Sequence, residues 1–473
     1  MYLIRNYHNL KHYVVIDMMN ITDYAQKIAY DIQNAGGRMY YVGGYVRDKL
    51  LNIDSKDIDV EIFNISSQKL KDILSKYGNI NEFGASFGIY KVSNIDIDFA
   101  LARKETKIGS KHTDFDVEIV PNISLYDAAK RRDFTINSIM QDIITGKIID
   151  NFNGIKDLQD KLIRYVDKDT FIQDSLRPLR ACQFAARFNF KIDENTIDLC
   201  KHMDYTQLTK ERVMIELEKA LLKSEKPSIF FYYANKMNLL AKFFSPIDKL
   251  VGVEQSPIYH PEGDVYTHTM CVLNRAAKFK NSSNYPLALM FSAICHDLGK
   301  ITTTKIINGK ITSYGHENEL YLTENFLKSL TNNKDLISSV KILVKNHMRP
   351  NSLVNDKTTD KAIRKLIVES DSKLVNIYDL LLLARADRLG RNVLNNKDYI
   401  EDKYIDNWWR AKLKEVNRSS EKIIPIVNGN DLITLGYFPN LQFTEMLKYA
   451  FDLQLDGKNK LEIIEKIKEK YKK

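Results

Sequence analysis

Tyr41-Val42-Gly43-Gly44-Tyr45-Val46-Arg47-Asp48, followed shortly by Asp57-Ile58-Asp59-Val60-Glu61, is the stretch from which the architecture can be read. It begins as a short β-rich run over 39–42, turns at two glycines and continues as a helix over 45–51. Glycine lets a backbone approach a phosphate closely. The helix start adds N–H groups without intrahelical partners and the positive end of the dipole. Arg47 would add a charge-assisted contact to a triphosphate. Residues 57–63 then alternate as a strand does. Positions i and i+2 of a strand share a face, so Asp57 and Asp59 point the same way. Two such carboxylates can bridge Mg²⁺ ions, which neutralise a triphosphate and lower the pKa of an attacking hydroxyl. Taken alone, a paired-glycine turn is common, and Asp-x-Asp is as readily a solvated strand face, with Asp54 and Lys56 nearby. Their succession gives them meaning.

Outward from this stretch, a helix is expected over 21–35 and strands over 88–92 and 95–102, with 147–150 closing the sheet. Asp98 is a candidate third carboxylate, although Asp96 lies on the same strand face. The polar segment 104–122, with Gly109, reads as a mobile loop plus a strand. From about residue 170 the periodicity becomes helical: 171–188, 194–202, 210–222 and 228–240. Pro178 must bend the first of these or mark a helix start. Pro246, Pro257 and Pro261 cluster at a boundary. A second helical domain runs over 255–400, and a lysine-rich amphipathic helix over 458–473. The sequence contains no internal repeat and no low-complexity tract.

With 473 residues the chain exceeds one ordinary core, which implies several domains. Hydrophobic residues at 44% and charged residues at 28% exclude a disordered chain. The net charge of +9 fits a polyanionic partner, and a lysine-heavy genome gives the same excess. Cys182, Cys200, Cys271 and Cys295 form no CxxC pair and no disulfide framework, as in a reduced cytoplasmic compartment. The apolar runs 287–295 and 380–384 are too short for a bilayer and read as buried helix. Residues 1–20 are an extension without a signal-peptide pattern, and Met18 or Met19 is a candidate start.

The motifs together resemble the class II nucleotidyltransferases, the CCA-adding enzymes and bacterial poly(A) polymerases. Gly43-Gly44-x-x-Arg47-Asp48 with Asp57-x-Asp59 looks like their head, and the resemblance runs over residues 40–222. Ala100-Leu101-Ala102-Arg103-Lys104-Glu105 is similar to the segment before the family's flexible loop. Arg131-Arg132-Asp133-Phe134-Thr135-Ile136-Asn137 resembles its RRD motif. Asp150-Asn151-Phe152-Asn153-Gly154 resembles its D-P-x-N-G element, with Asn151 replacing the proline. The resemblance implies a nucleotide site made by Gly43, Gly44, Arg47, Arg103, Arg132, Asp133 and Asn137. Arg132 would hold phosphate, while Asp133 and Asn137 would bond sugar hydroxyls. Asp57 and Asp59 would be catalytic carboxylates holding Mg²⁺.

Gln173-Asp174-Ser175-Leu176-Arg177 resembles the family's base-selecting E-D-x-x-R, with Gln173 in place of glutamate. Three residues apart, Asp174 and Arg177 are expected on one helix face. Asp174 only accepts and Arg177 only donates. C and A present an amino donor beside a ring-nitrogen acceptor, and G and U present the reverse. The mismatch would cost roughly 1–3 kcal/mol per unpaired group. CTP and ATP are therefore the expected substrates. Glu211-Arg212-Val213-Met214-Ile215-Glu216 resembles a further family element, with Arg212 and Glu216 bracing the base-selecting helix. The loop over 105–122 is full length, which by resemblance implies complete CCA addition.

Of nine histidines, His260, His268, His296, His316 and His347 fall in one stretch. Neutral imidazoles and carboxylates bind divalent metals. The series His268, His296-Asp297, His316, His347, Asp387 resembles the HD phosphohydrolases. It implies a second site for Mg²⁺, Mn²⁺ or Ni²⁺ with phosphatase or cyclic-phosphodiesterase chemistry, or else a relic fold without metal.

The expected fold is α+β. A polymerase-β-like head with a small, mostly antiparallel sheet (21–165) precedes an all-α neck (166–250), an HD domain (251–400) and a helical tail (401–473). The expected partners are the tRNA 3′ end, CTP and ATP, with no membrane. The alternatives are a poly(A) polymerase of the same family, or an HD phosphohydrolase whose first half only binds nucleotide or RNA.

Overall fold

The structure is a computed structural model describing residues 20–55, 57–83, 88–107, 115–391, 395–416 and 423–471. The candidate starts Met18 and Met19 lie outside these residues. The chain divides into two compact units. The first comprises the residues up to Arg177 with Asp193–Leu199 and Met203–Gln207, and the second Pro178–Ile192, Cys200–His202 and everything from Leu208.

In the first unit, helix α1 (Ile21–Asn34) opens with a capping box between Asn20 and Asp23. It buries Ala25, Ile28, Ala29 and Ile32, one helical stripe. Then come β1 (Arg38–Val42), α2 (Gly44–Leu50), β2 (Ile58–Phe63), α3 (Ser67–Leu74), β3 (Ile80–Phe83), β4 (Ile89–Val92) and β5 (Ile95–Leu101). The strands β6 (Arg103–Lys107) and β7 (Phe115–Ile119) precede α4 (Leu125–Lys130), β8 (Met140–Asp142), β9 (Ile148–Ile149) and α5 (Gly154–Gln159). Seven strands form one sheet in the order β3-β4-β5-β2-β1-β8-β9. Every pairing is antiparallel except β2 with β5. That parallel register sets Asp59 beside Asp98. The segment 104–122, expected to be a mobile loop plus a strand, contains two paired strands, β6 and β7, and residues 108–114 lie outside the described residues.

The helix expected over 171–188 is two elements, α6 (Lys168–Phe171) and α7 (Arg177–Phe188). Pro178 explains the break. Its ring fits only the first turn of a helix, so α7 starts at Arg177, and the residue before a proline tends to leave helical conformation. Asp174 therefore lies in the intervening turn and shares no helix face with Arg177.

The second unit is helical. Helix Pro286–Cys295 has Pro286 at its start and is buried from Leu287 to Cys295. Helices Val265–Phe279, Lys334–Asn346 and Ile377–Arg388 pack against it. Residues Val427, Leu432, Met446, Ala450, Ile463 and Ile467 make a separate small core near the end of the chain. All four cysteines are free thiols. Among the described residues no helix is long and apolar enough to cross a membrane.

Candidate active sites

Gly43 has φ of +65°, a region that favours glycine, and starts α2. A Cβ there would lie 3.1 Å from Arg132 Nη1 and 3.8 Å from Asp59 Oδ2. The glycine turn, Arg132 and Asp59 thus meet at one point. Asp59 is on β2, Asp57 immediately precedes that strand, and Asp98 lies across on β5. Burial raises the pKa of Asp59, the carboxylates of Asp98 and Asp57 raise it further, and Arg132 opposes them. Lys91 bonds Asp98 at 2.6 Å. Hard carboxylate oxygens crowded around Asp59 suit a divalent cation.

Glu61, two residues beyond Asp59 and almost wholly buried, receives Arg131 at 2.7 Å and Arg132 at 2.8 Å on its two oxygens. Burial alone would raise its pKa, but the two guanidiniums prevail and lower it. The strand that carries Asp59 therefore also aims Arg132.

Arg47 is not directed out of the glycine turn, as expected for a triphosphate ligand. It is 3% exposed. Its Nε and Nη2 donate to Asp48 Oδ1 at 2.8 and 2.6 Å, and Nη1 donates to Asn137 Oδ1 at 2.6 Å. The adjacent Asp48 is an acceptor for a guanidinium folded back along α2, and this local pairing turns Arg47 inward. Asn137 donates to Asp133 Oδ1 at 2.9 Å, and the Phe134 amide donates to the same oxygen at 2.8 Å. Arg47, Asp48, Asn137 and Asp133 form one buried chain of hydrogen bonds tying the glycine turn to the Arg132 loop.

Asp150 accepts the amides of Gly154 and Ile155, and Asp157 accepts from the Thr135 hydroxyl at 2.6 Å. A Cβ on Gly154 would come within 2.2 Å of the Thr135 carbonyl oxygen. The Asp150–Gly154 element clamps the Arg132–Asn137 segment.

Asp174 caps its own turn, accepting the Leu176 amide at 3.0 Å. Arg177 donates to the carbonyls of Thr170 and Arg131, both at 2.8 Å. Asp174 is thus carried by a turn and Arg177 by a helix start. Arg103 lines a cavity of about 380 Å³ with Lys104, Lys130 and Arg131. In the second unit Glu216 accepts from Lys219 at 2.8 Å and lies 4.0 Å from Arg180 of α7. Glu216 and Arg212 lie on the same helix, Lys210–Lys223.

All six residues of the histidine series converge in the second unit. His268 is near the start of helix Val265–Phe279. His296 and Asp297 follow helix Pro286–Cys295, and His347 follows helix Lys334–Asn346. His316 opens a short turn, and Asp387 sits in the last turn of helix Ile377–Arg388. His268 Nε2 is 3.0 Å from Asp387 Oδ1, and His296 Nε2 is 3.2 Å from Asp297 Oδ2. His316 Nε2 is 3.2 Å from Asp297 Oδ1 and 3.3 Å from His347 Nε2. The Nδ1 atoms of His296, His316 and His347 lie 2.7–3.0 Å from the carbonyls of Ala293, Ser313 and Val344, each three residues earlier. This arrangement leaves the Nε2 atoms converging on two carboxylates. The contact of His296 with Asp297 is not aligned as a hydrogen bond, and among the described residues His296 Nε2 is buried without another partner. An unsatisfied imidazole nitrogen in a ring of ligand types fits a metal centre.

Burial opposes charge on His268, but Asp387 and Glu262 hold its pKa up to about 9. Burial and the neighbouring His296 push His347 down to about 4. Asp297 lies well below the usual range. Burial works against that shift, and His296 and Lys300 produce it. Gly299 permits the close passage of His316, whose carbonyl oxygen would be 2.0 Å from an added Cβ. Asp297, His316 and Asp387 line a cavity of about 540 Å³ with Gln255, Tyr259 and Tyr314.

Three contributors were not evident from sequence: Glu61, Asp157 and Glu262. Glu61 carried a signal, since it continues the alternation of Asp57 and Asp59. Glu262 carried little, being one glutamate between Pro261 and Gly263.

Residues 39–164 match the poly(A) polymerase head domain family. The multifunctional CCA protein of Haemophilus ducreyi is 39% identical over 270 residues, 56% of this chain and 64% of that relative's length. That of Actinobacillus pleuropneumoniae serotype 5b is 34% identical over 379 residues, 76% of this chain and 88% of the relative. Among solved structures, the Thermotoga maritima CCA-adding enzyme complexed with tRNA is similar in fold. Its TM-score is 0.56 at 18% identity, covering 94% of each chain.

Proposed function

The chain belongs to the family of multifunctional CCA proteins, and from that premise we infer that it adds C and A, from CTP and ATP, to the 3′ end of tRNA without a template. The observation that carries the reading is the meeting of Gly43, Arg132 and Asp59 at one point, with Asp57 and Asp98 beside it. Asp57 and Asp59 would hold divalent cations, which we assign as Mg²⁺. Bound there, they neutralise the triphosphate and lower the pKa of the RNA 3′-hydroxyl. Arg132, held by Glu61, binds phosphate over the glycine turn. Asp133 and Asn137 face the ribose while the buried chain through Arg47 keeps them in place. Asp174 and Arg177 read the pairing edge of C or A, and Arg103 adds positive charge beside them. The basic surface of the chain carries the tRNA phosphates. The cytoplasm is our assignment for this work.

The segments 21–165, 166–250, 251–400 and 401–473 serve as head, neck, HD domain and tail. Incubation of tRNA lacking its end with single and paired NTPs tests the reading. Completion of CCA is expected. A long A-tail would indicate a poly(A) polymerase, and undiminished incorporation by Asp57→Ala/Asp59→Ala would leave the first half a mere binding module.

A second activity is favoured by the converging Nε2 atoms. We assign His268, His296, Asp297 and Asp387, with His316 and His347, to a site for Mg²⁺, Mn²⁺ or Ni²⁺ that hydrolyses 2′,3′-cyclic or terminal phosphates. Such trimming regenerates the hydroxyl that nucleotide addition requires. Release of product from 2′,3′-cAMP is expected with at least one of the three metals. No release with any of them refutes it.

A further inference from the structure

Glu262 belongs to neither set of expected residues, yet it is enclosed beside the second site, with its side chain fully buried. Its Oε1 accepts from His268 Nδ1 at 2.6 Å and from His260 Nδ1 at 3.1 Å. Its Oε2 is buried and has no hydrogen-bond partner among the described residues. The two imidazoles meet edge to face with centroids 4.6 Å apart. His260 lines the same cavity as Asp297, His316 and Asp387.

We propose that Glu262 is the positioning residue of the second site: one carboxylate oxygen fixes both imidazoles, presenting His268 Nε2 to a divalent cation and His260 Nε2 to the nucleotide substrate. This rests on the metal-dependent hydrolase reading given above.

The chemistry follows from the tautomers. An imidazole whose Nδ1–H donates to a carboxylate keeps its lone pair on Nε2. For His268, Nε2 lies among the ligand-type residues, 3.0 Å from Asp387; a cation bound there would displace the proton that bridges the two and take up the lone pair. A carboxylate behind a ligating histidine also raises its basicity, and loss of such a partner typically weakens metal binding by about 10–100-fold. For His260 the lone pair is an acceptor suited to a nucleoside hydroxyl beside the phosphate. A carboxylate there for packing alone would not bond two imidazoles through one oxygen and leave the other unsatisfied. The pKa of Glu262 is consistent with this. Burial opposes its ionisation, but His260 and His268 hold it down to about 2.

The test uses the full chain, with nucleotide addition to tRNA as an internal control for folding. Mn²⁺ binding is measured by calorimetry and hydrolysis with 2′,3′-cAMP. Glu262→Gln should weaken Mn²⁺ binding about 10–100-fold, and Glu262→Ala at least as much, while CCA addition is unchanged. His260→Ala should bind Mn²⁺ like the parent chain but lose at least about tenfold in kcat/KM for the cyclic nucleotide, a drop typical of a lost positioned group. Parental Mn²⁺ affinity in Glu262→Gln overturns the positioning role while leaving the hydrolase reading intact. A parent chain that binds no Mn²⁺, Ni²⁺ or Mg²⁺ at this site overturns both.

Discussion

Arg132 donates to Glu61 at 2.8 Å, so the arginine over the glycine turn is held by a carboxylate on the same strand as Asp59. Removing that carboxylate's charge leaves Arg131 and Arg132 without their common partner. Breaking such a buried pair costs on the order of 3 kcal/mol. Glu61→Gln should lower thermal stability and reduce nucleotide incorporation more than tenfold, while hydrolysis of 2′,3′-cAMP is retained. Incorporation kinetics and thermal melts on one preparation check this.

Gly154 lies against the Thr135 carbonyl, where an added methyl would come within 2.2 Å. Thr135 cannot move alone, because Asp157 holds its hydroxyl. Overpacking of this kind typically costs about 1–3 kcal/mol. Gly154→Ala should therefore displace the segment carrying Arg132 and Asn137. The expected readout is a lower melting temperature and weaker CTP and ATP binding in a fluorescence titration.

Arg177 is fastened by carbonyls of Thr170 and Arg131. Lysine carries the same charge but not the planar fork that satisfies both carbonyls and a base edge together. Arg177→Lys should lose discrimination before it loses turnover. Competition between CTP or ATP and UTP or GTP, read by sequencing the added nucleotides, should show misincorporation rising at least about tenfold, equivalent to roughly 1.4 kcal/mol.

For the chelated chain, His268 supplies a pH dependence with a definite sign. Its pKa is held up to about 9 in the fold, against 6.5 ordinarily. Its stabilisation is fully present below pH 6.5 and is lost as pH rises through 9. The integrated loss is on the order of 3 kcal/mol. Urea midpoints in EDTA should fall between pH 6.5 and 9.5, and His268→Gln should flatten that slope. With metal bound, the imidazole is a neutral ligand and the slope should disappear.

The elements carrying periodicity were legible. The stripe on α1, the strands around the acidic pair and the buried helix Pro286–Cys295 follow their apolar spacing. The break before Pro178 was only half legible. The proline announced a helix start, but the three-residue spacing of Asp174 and Arg177 suggested a shared face where a turn exists. The inward fold of Arg47 was not legible, because the choice between Asp48 and an incoming phosphate depends on Asn137, far along the chain. Asp157 and Glu262 were hidden for the same reason. A carboxylate's role is set by which donors the fold brings to it, and no local pattern records that.

His296, His316 and His347 take their orientation from the backbone carbonyl three residues before them. Each ring is thus aimed by its own helix end or turn, before any ion arrives. With the second site read as a metal site, the consequence is a socket assembled during folding, in which an ion would be a passenger rather than a scaffold. On that reading the chain would load, lose and exchange metals without unfolding, and the identity of the working ion would follow the cell's supply as much as the protein's preference.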